Sequence, residues 1–508
     1  MSMSPPRFRR TESLIFVLAG ALCAVSCASP GRPDGDTGKG GSTGGSNGSG
    51  GNGSGGSGSG GSGATGSGGA FVAGSGGAGG GRVSTGGSGG GSGSPGTGGI
   101  GTGGASTGTG GSTGTGGTST GTGGAAGSGS GAGGAALTIP GTGQCAAPAG
   151  ARVADATAAY NKWKTDLVIS DGARGFLRVR RPNSSSAVVD STVSEGIAYG
   201  MLLAVYANDQ NTFDNLWKYE QLFPDNHGLM NWYIGPDATV LGSGAATDAD
   251  EDMAFALIMA DKRWGGQGTL STTYLAAAKT LIGLIWQYEV DASRNHVLTS
   301  GDQSDGSVIN ISYFAPAYYR AFGRVANTAS NWKMVIDTCY TVISATLNAQ
   351  NGNTQNGLVP AWSTPAGVPM TPPGTGMPLY HQLDSCRTPF RLGQDYCWNA
   401  EPRALSYLQK ITGFYSGVGV ANLVDGYDLN GTPHPQFVTT GGPRAASFVG
   451  PAGVGAMATG TTYVKLRDDA YASVASLADL AGSTYYQESW TALSLQMMTG
   501  LLQDLEAP

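Results

Sequence analysis

ATDADEDMAFALIMADKRW, residues 246–264, is the stretch that decides how the rest of this chain is read. Its apolar residues recur at i, i+3 and i+4 from Asp248 to Arg263, the period of an α-helix with a buried face. Thr247 followed three residues later by Asp250 reads as a capping box with Asp in place of Glu. The acidic first turn suits the positive end of the helix dipole. Alternation of Asp248, Asp250 and Asp252 raises the question of a calcium loop. An EF-hand loop starting at Asp248 needs Gly at its sixth position and Glu at its twelfth, and those positions hold Met253 and Met259. The residues by themselves give a well-capped helix.

The same period recurs on both sides of it, over Glu195–Ala207, Ser271–Tyr288, Ala315–Asn327, Trp332–Leu347 and Glu488–Leu502. Between these stretches lie Gly-, Pro- and Asn-rich connections, some long, such as Asn351–Gly376. Long loops on a helical scaffold are where binding clefts are built. No second linker interrupts residues 139–508, so one large all-α domain is expected there.

Upstream of that domain the material changes. The chain has 90 glycines among 508 residues, and residues 28–138 are mostly Gly, Ser and Thr. Such a segment buries too little apolar surface to offset its ordering entropy and is expected to be a disordered tether. A flexible coil of roughly 100 residues has a root-mean-square span of about 55 Å. Before it, Arg7, Arg9 and Arg10 precede an apolar run from Leu14 to Val25 that is too short to span a membrane. The run closes on Ala24-Val25-Ser26-Cys27, which resembles a bacterial lipoprotein cleavage site with Cys27 as the lipidated residue. Residues 1–27 are therefore expected to be an export signal of lipoprotein type, a plain signal peptide being the alternative.

Net charge is −6 and the pI near 5.3, whereas nucleic-acid binding calls for a basic face. The four histidines, His227, His296, His381 and His434, show no metal-ligand spacing, so neither a metal nor a cofactor is expected. Beyond the signal remain Cys145, Cys339, Cys386 and Cys397, of which Cys386 and Cys397 are nearest in sequence. Four cysteines allow three full pairings, and spacing does not choose among them.

Over its whole length the 246–264 stretch resembles the signature of glycoside hydrolase family 8. Val193-Ser194-Glu195-Gly196-Ile197-Ala198-Tyr199-Gly200-Met201, Ser312-Tyr313-Phe314-Ala315-Pro316 and Asp384-Ser385-Cys386-Arg387 match that family in the expected order. The resemblance covers nearly all of the globular part and none of the tether. It implies an (α/α)6 barrel and an inverting endo-acting enzyme without cofactor, a monomer whose partner is a β-linked polysaccharide. Glu195 takes the role of general acid and Asp384 that of general base. Asp248 becomes a binding and electrostatic partner beside the scissile sugar, because inversion needs an acid, a base and room for water but no covalent intermediate. Arg387, three residues beyond Asp384, is placed to hold that carboxylate ionised.

Tyr313 is expected to help position the attacking water. Trp232, with Tyr485 and Tyr486 behind it, is expected to stack on the apolar faces of pyranose rings. The chain departs from the family where Gln303 and Ser304 follow Gly301-Asp302, where Ile311 follows Asn310, and where Leu383 precedes Asp384. These positions concern substrate subsites. They leave the reaction type untouched and bear on which polysaccharide is cut; the resemblance implies hydrolysis of internal β-1,4-glucan bonds. A chitosanase or xylanase on the same scaffold, and a non-catalytic surface carbohydrate-binding protein, are the alternatives.

Overall fold

The computed structural model describes residues 137–507 except 183–187, 374, 376–377, 437–443 and 479–483. The expected export signal, Cys27 and the tether up to residue 136 lie outside the described residues.

Among the described residues twelve α-helices follow one another: α1 Val153–Leu167, α2 Ser194–Tyr206, α3 Gln210–Glu220, α4 Thr247–Trp264, α5 Tyr274–Tyr288, α6 Pro316–Val325, α7 Ala329–Thr346, α8 Arg387–Asn399, α9 Pro402–Val418, α10 Ala446–Met457, α11 Val464–Ala475 and α12 Thr484–Met498. The even-numbered helices pack in a closed ring, α2 on α4, α4 on α6, and so on until α12 returns to α2. Each odd-numbered helix lies outside, against the inner helix before or after it, and α1 closes the outer ring on α12. This is the (α/α)6 barrel. Inner helices pass to the next outer helix through short turns, whereas most outer helices return to the ring through long connections, such as residues 347–386, that carry the short strands.

Burial separates the two rings. Every residue of α2 and of α10 is buried, as an inner helix surrounded on all sides requires. The outer helix α5 buries only Tyr274, Ala277, Ala278, Leu281, Ile282 and Ile285, one stripe at helical spacing. Close approach between the inner and outer rings demands small residues. A Cβ on Gly200 of α2 would sit 2.6 Å from Leu216 Cδ1 and 2.9 Å from Trp163 Cη2. No helix among the described residues is long and apolar enough to cross a membrane.

One local expectation needs correction, and the cysteine pairing left open by the sequence is decided. The capping box at Thr247 does not form: Ala246 is the N-cap of α4, without a side-chain cap bond, and Thr247 is itself buried. Packing of the inner ring there replaces solvent-facing cap chemistry. The cysteines nearest in sequence do not pair, because α8 separates them, and about 11 residues of helix span roughly 16 Å. Cys397 instead bonds to Cys145 with Cα atoms 5.3 Å apart, tying the segment ahead of α1 to the end of α8, while Cys339 and Cys386 are free and buried.

Candidate active site

Alternate helices of an in–out barrel run the same way, so the inner N-termini share one end. There the unsatisfied N–H groups and the helix dipoles favour negative charge. Glu195 is the second residue of α2, Asp248 the second of α4, and Tyr485 the second of α12. Asp384 lies in the 3₁₀ turn Leu383–Cys386 that runs into α8, whose first residue is Arg387. Tyr313 closes the turn Ile311–Tyr313 ahead of α6. Two small antiparallel pairings steer the chain into these ends: Thr192–Val193 with Tyr233–Ile234 ahead of α2, and Ile309–Asn310 with Trp362–Ser363 ahead of α6.

One guanidinium organises the cluster. Arg387 Nη1 donates to Glu195 Oε2 at 2.7 Å and to Asp248 Oδ2 at 2.6 Å. Its Nη2 lies 3.4 Å from Asp384 Oδ1, and its Nε donates to Ser312 Oγ at 3.0 Å. Cζ stands 5.0 Å over the Tyr313 ring, which adds a cation–π contact. Arg387 is 1% exposed, Asp248 2%, Asp384 5% and Glu195 8%, so the charges interact through little water. Arg suits this position because its planar fork presents several donors in fixed directions. Three carboxylates face one cation, and the imbalance has a consequence. Burial pushes the Asp248 carboxyl up to about 7; Arg387 opposes that rise, and Glu195, Asp252 and Asp384 add to it.

The pattern repeats one turn deeper. Arg391, four residues along α8, donates to Asp252, four residues along α4, and its Cζ stands 5.1 Å over Tyr318. Asp250 turns the other way, towards Glu289 and Glu220. Burial pushes all three carboxyls up, Glu220 and Glu289 to about 8. The Asp248-Asp250-Asp252 alternation thus feeds two arginine pairs and a separate acidic pocket.

The remaining expected residues take varied places. Tyr485 is buried and donates to Glu195 Oε1 at 2.7 Å; Tyr486 is buried and donates to the Leu383 carbonyl at 3.1 Å. Their hydroxyls brace the acid and the turn carrying Asp384, so neither presents an open face for a sugar. Gly196 makes room for this: a Cβ there would lie 3.0 Å from Tyr485 Cε2. Trp232 is 8% exposed and stacks on Tyr233 with centroids 5.0 Å apart; its carbonyl accepts from Ser194 N, at the start of α2. It therefore sits at the edge of the cluster. Tyr313 is fully buried, edge-on to Trp362. Sequence reading missed Tyr199, Ser312, Asn310, Gln382, Asp252 and Arg391. For the last two the signal was present, as i, i+4 repeats of acid on α4 and of arginine on α8.

Among the described residues one grouping has metal-ligand character: Asp225, His227 and Asp302. Most of their ligand atoms serve one another and the backbone, while Asp225 Oδ2 is buried without a hydrogen-bond partner. His227 Nδ1 is 2.6 Å from Asp302 Oδ2, Asp302 Oδ1 accepts from Ala245 N, and Asp225 Oδ1 accepts from His227 N and Leu229 N. The Gly301-Asp302 segment thereby braces the loop that leads into Asp248. A cavity of about 560 Å³ between α7 and α9, lined in part by Tyr340, Arg403 and Lys410, includes none of the clustered carboxylates.

Known proteins share this arrangement of chain and fold. Endoglucanase C of Ruminiclostridium cellulolyticum is 36% identical over 351 residues, covering 68% of this chain and 71% of that protein. Endoglucanase 2 of Ruminiclostridium josui is 38% identical over 352 residues, with coverage of 68% and 71%. The apo structure of a Beta-1,3-1,4-glucanase from Paenibacillus sp. X4 superposes with a TM-score of 0.61 at 27% identity, covering 70% of this chain and 95% of that one. Residues 144–500 match the sequence profile of the glycosyl hydrolases family 8. That match runs from beside the disulfide-bonded Cys145 to just beyond α12 and takes in the whole barrel, so the chain belongs to glycosyl hydrolase family 8.

Proposed function

We propose that this glycoside hydrolase cleaves internal β-1,4-glucan bonds with inversion, using Glu195 as general acid and Asp384 as general base. The observation that carries the reading is the Arg387 bridge, with Glu195 on Nη1 at 2.7 Å and Asp384 by Nη2 at 3.4 Å. The two carboxylates thus meet different nitrogens of one guanidinium. An inverting pair requires a gap of about 6.5–9.5 Å, so that a water fits between base and sugar. Glu195 protonates the glycosidic oxygen as the C–O bond breaks. Asp384 takes a proton from the water whose oxygen bonds to the anomeric carbon from the opposite face. Asp248 supports the acid: a carboxyl raised to about 7 lets the cluster retain a proton up to near neutrality. Tyr313, under Arg387, fixes the guanidinium from below, and Trp232 offers an aromatic edge beside α2 for a sugar ring.

Substrate class follows the relatives, two of which are endoglucanases. Glu195→Gln and Asp384→Asn, assayed beside the native chain for reducing ends from soluble cellulose, mixed-linkage β-glucan, xylan and chitosan, test the reading. Release from the glucans, lost in both variants, is expected. Release from xylan or chitosan alone moves the specificity, and silence on every polymer contradicts it.

The N-terminal Arg7, Arg9 and Arg10, the short apolar run and Cys27 support export and lipid anchoring, with the Gly/Ser/Thr tether holding a monomeric barrel off the membrane. Lipidation at several acyl chains would anchor stably, since each buried CH₂ contributes about 0.8 kcal/mol. The Cys145–Cys397 disulfide supports an oxidising compartment. Mass spectrometry of the mature protein, with and without Cys27→Ala, decides between a lipidated and a plain N-terminus.

A further inference from the structure

We propose that Asn310 and Gln382 are positioning residues that orient Asp384 and reserve one of its two oxygens for the proton of water. The inference rests on the reading of Asp384 as the base. It comes from an arrangement that two separate loops repeat.

Gln382 is the N-cap of the turn that carries Asp384: its Oε1 accepts from Asp384 N at 3.2 Å, while Ser385 Oγ accepts from Gln382 N at 3.4 Å. With its oxygen committed to the cap, the amide turns its nitrogen inward, and Nε2 donates to Asp384 Oδ2 at 3.3 Å. Asn310 does the same from the strand ahead of α6. Its Oδ1 accepts from Ser312 N at 3.0 Å and from Ser312 Oγ at 2.7 Å, and its Nδ2 donates to the same Asp384 Oδ2 at 3.2 Å. Neither amide can flip without facing its oxygen to a carboxylate and its nitrogen to N–H donors. Both are buried, Asn310 to 1% exposed and Gln382 to 3%.

The two oxygens of Asp384 are thereby made unequal. Oδ2 takes two amide N–H donors, which stabilise the charged form. Oδ1 receives neither amide; Arg387 Nη2 lies 3.4 Å from it, beyond the 2.7–3.2 Å of a firm N–H···O bond, and it is the oxygen that remains to take the water proton. In the reaction the water proton passes to Oδ1, the water oxygen bonds to the anomeric carbon, and the glycosidic oxygen leaves with the proton of Glu195. Ser312 joins the two halves, since its Oγ also accepts from Arg387 Nε at 3.0 Å.

The test is the pH profile of kcat/KM on a neutral cello-oligosaccharide for the full chain, its Gln382→Glu and Asn310→Asp variants, and Asp384→Asn. Each isosteric acid retains the oxygen that accepts from the backbone and replaces the amide donor with a second carboxyl sharing a site with Asp384. A like-charge neighbour at that distance raises the pKa of the pair, so the acidic limb is expected to move up by about one unit or more. Activity should recover towards the native level on the alkaline side. Asn310→Asp stands as the independent test if Gln382→Glu does not fold. An unmoved limb, or a loss equal at every pH, overturns the positioning role while Asp384→Asn is inactive. Turnover by Asp384→Asn removes the base assignment itself.

Discussion

Replacing Arg387 with methionine removes one cation from among Glu195, Asp248 and Asp384 while roughly keeping the side chain's length. In the native protein its Nη1 contacts are 2.7 and 2.6 Å and its Nη2 contact is 3.4 Å, at 1% exposure. At an effective dielectric of about 20, each close pair is worth up to about 4 kcal/mol, most of it offset by the desolvation of the ions. The pair's net contribution is thus small, but breaking it is costly: orphaning the buried carboxylates destabilises the fold by about 3–5 kcal/mol near neutral pH. Burial has already raised Asp248 to about 7 against the opposition of Arg387, so in the variant it lies still further above its unfolded value of about 4. The native ion pairs exist only while the carboxylates are charged, so the deficit is full near neutral pH and shrinks in acid. Urea unfolding at pH 7 and at pH 4 measures both terms, and Arg387→Lys, which supplies a point charge instead of a fork, should fall between. A deficit below about 1 kcal/mol at pH 7, or one equal at both pH values, refutes the assignment of Arg387 as the keystone of the cluster.

Three further outcomes follow from other parts of the barrel. Glu220 is buried and raised to about 8, so its contribution to stability is full below about pH 4.5 and fades as pH rises through 8. Glu220→Gln should therefore stabilise the protein at pH 8, by up to about 4 kcal/mol, and little at pH 4; a gain equal at both pH values contradicts the raised carboxyl. Exchanging Cys145 and Cys397 together for serine should lower stability by about 2–4 kcal/mol in thermal unfolding, and no change would show that the bridge is idle. Gly196→Ala places a methyl 3.0 Å from Tyr485 Cε2 and 3.3 Å from its hydroxyl, crowding the tyrosine that holds Glu195. Its kcat should fall about tenfold with melting temperature nearly unchanged, and wild-type kcat would deny Tyr485 its bracing role.

Much of the fold was legible because several helices have one wet side. α5 displays a clean i, i+3, i+4 stripe, and its expected span, Ser271–Tyr288, differs from Tyr274–Tyr288 only at the start. The inner helices are harder. α10 reads ASFVGPAGVGAM, with Pro451 and three glycines that argue against a helix in isolation, yet all of it is buried in the ring, where packing overrides propensity. α8 has no apolar stripe because it buries Arg387, Arg391, Gln394 and Asp395. Those residues look like a solvated face until their partners on α2, α4 and α6 are known.

The cluster was legible in part for a related reason. Glu195, Asp248, Asp384 and Arg387 stand at the first turns of inner helices or just before them, inside motifs long enough to be read locally. The supporting contacts cross the ring. Tyr485 meets Glu195 from 290 residues away, and Asn310 meets Asp384 from 74, distances at which no local pattern carries information. Tyr485 and Tyr486 look in sequence like stacking platforms because aromatic side chains serve both purposes. Only their inward-facing hydroxyls distinguish the roles.

The central claim is a single displacement by water between an acid and a base that share Arg387. Proton NMR of the first reducing ends released from a β-linked cello-oligosaccharide tests it directly. Inversion predicts that the α-anomer appears first and then mutarotates towards equilibrium. First appearance of the β-anomer would mean a covalent intermediate and a nucleophile, and would contradict the account.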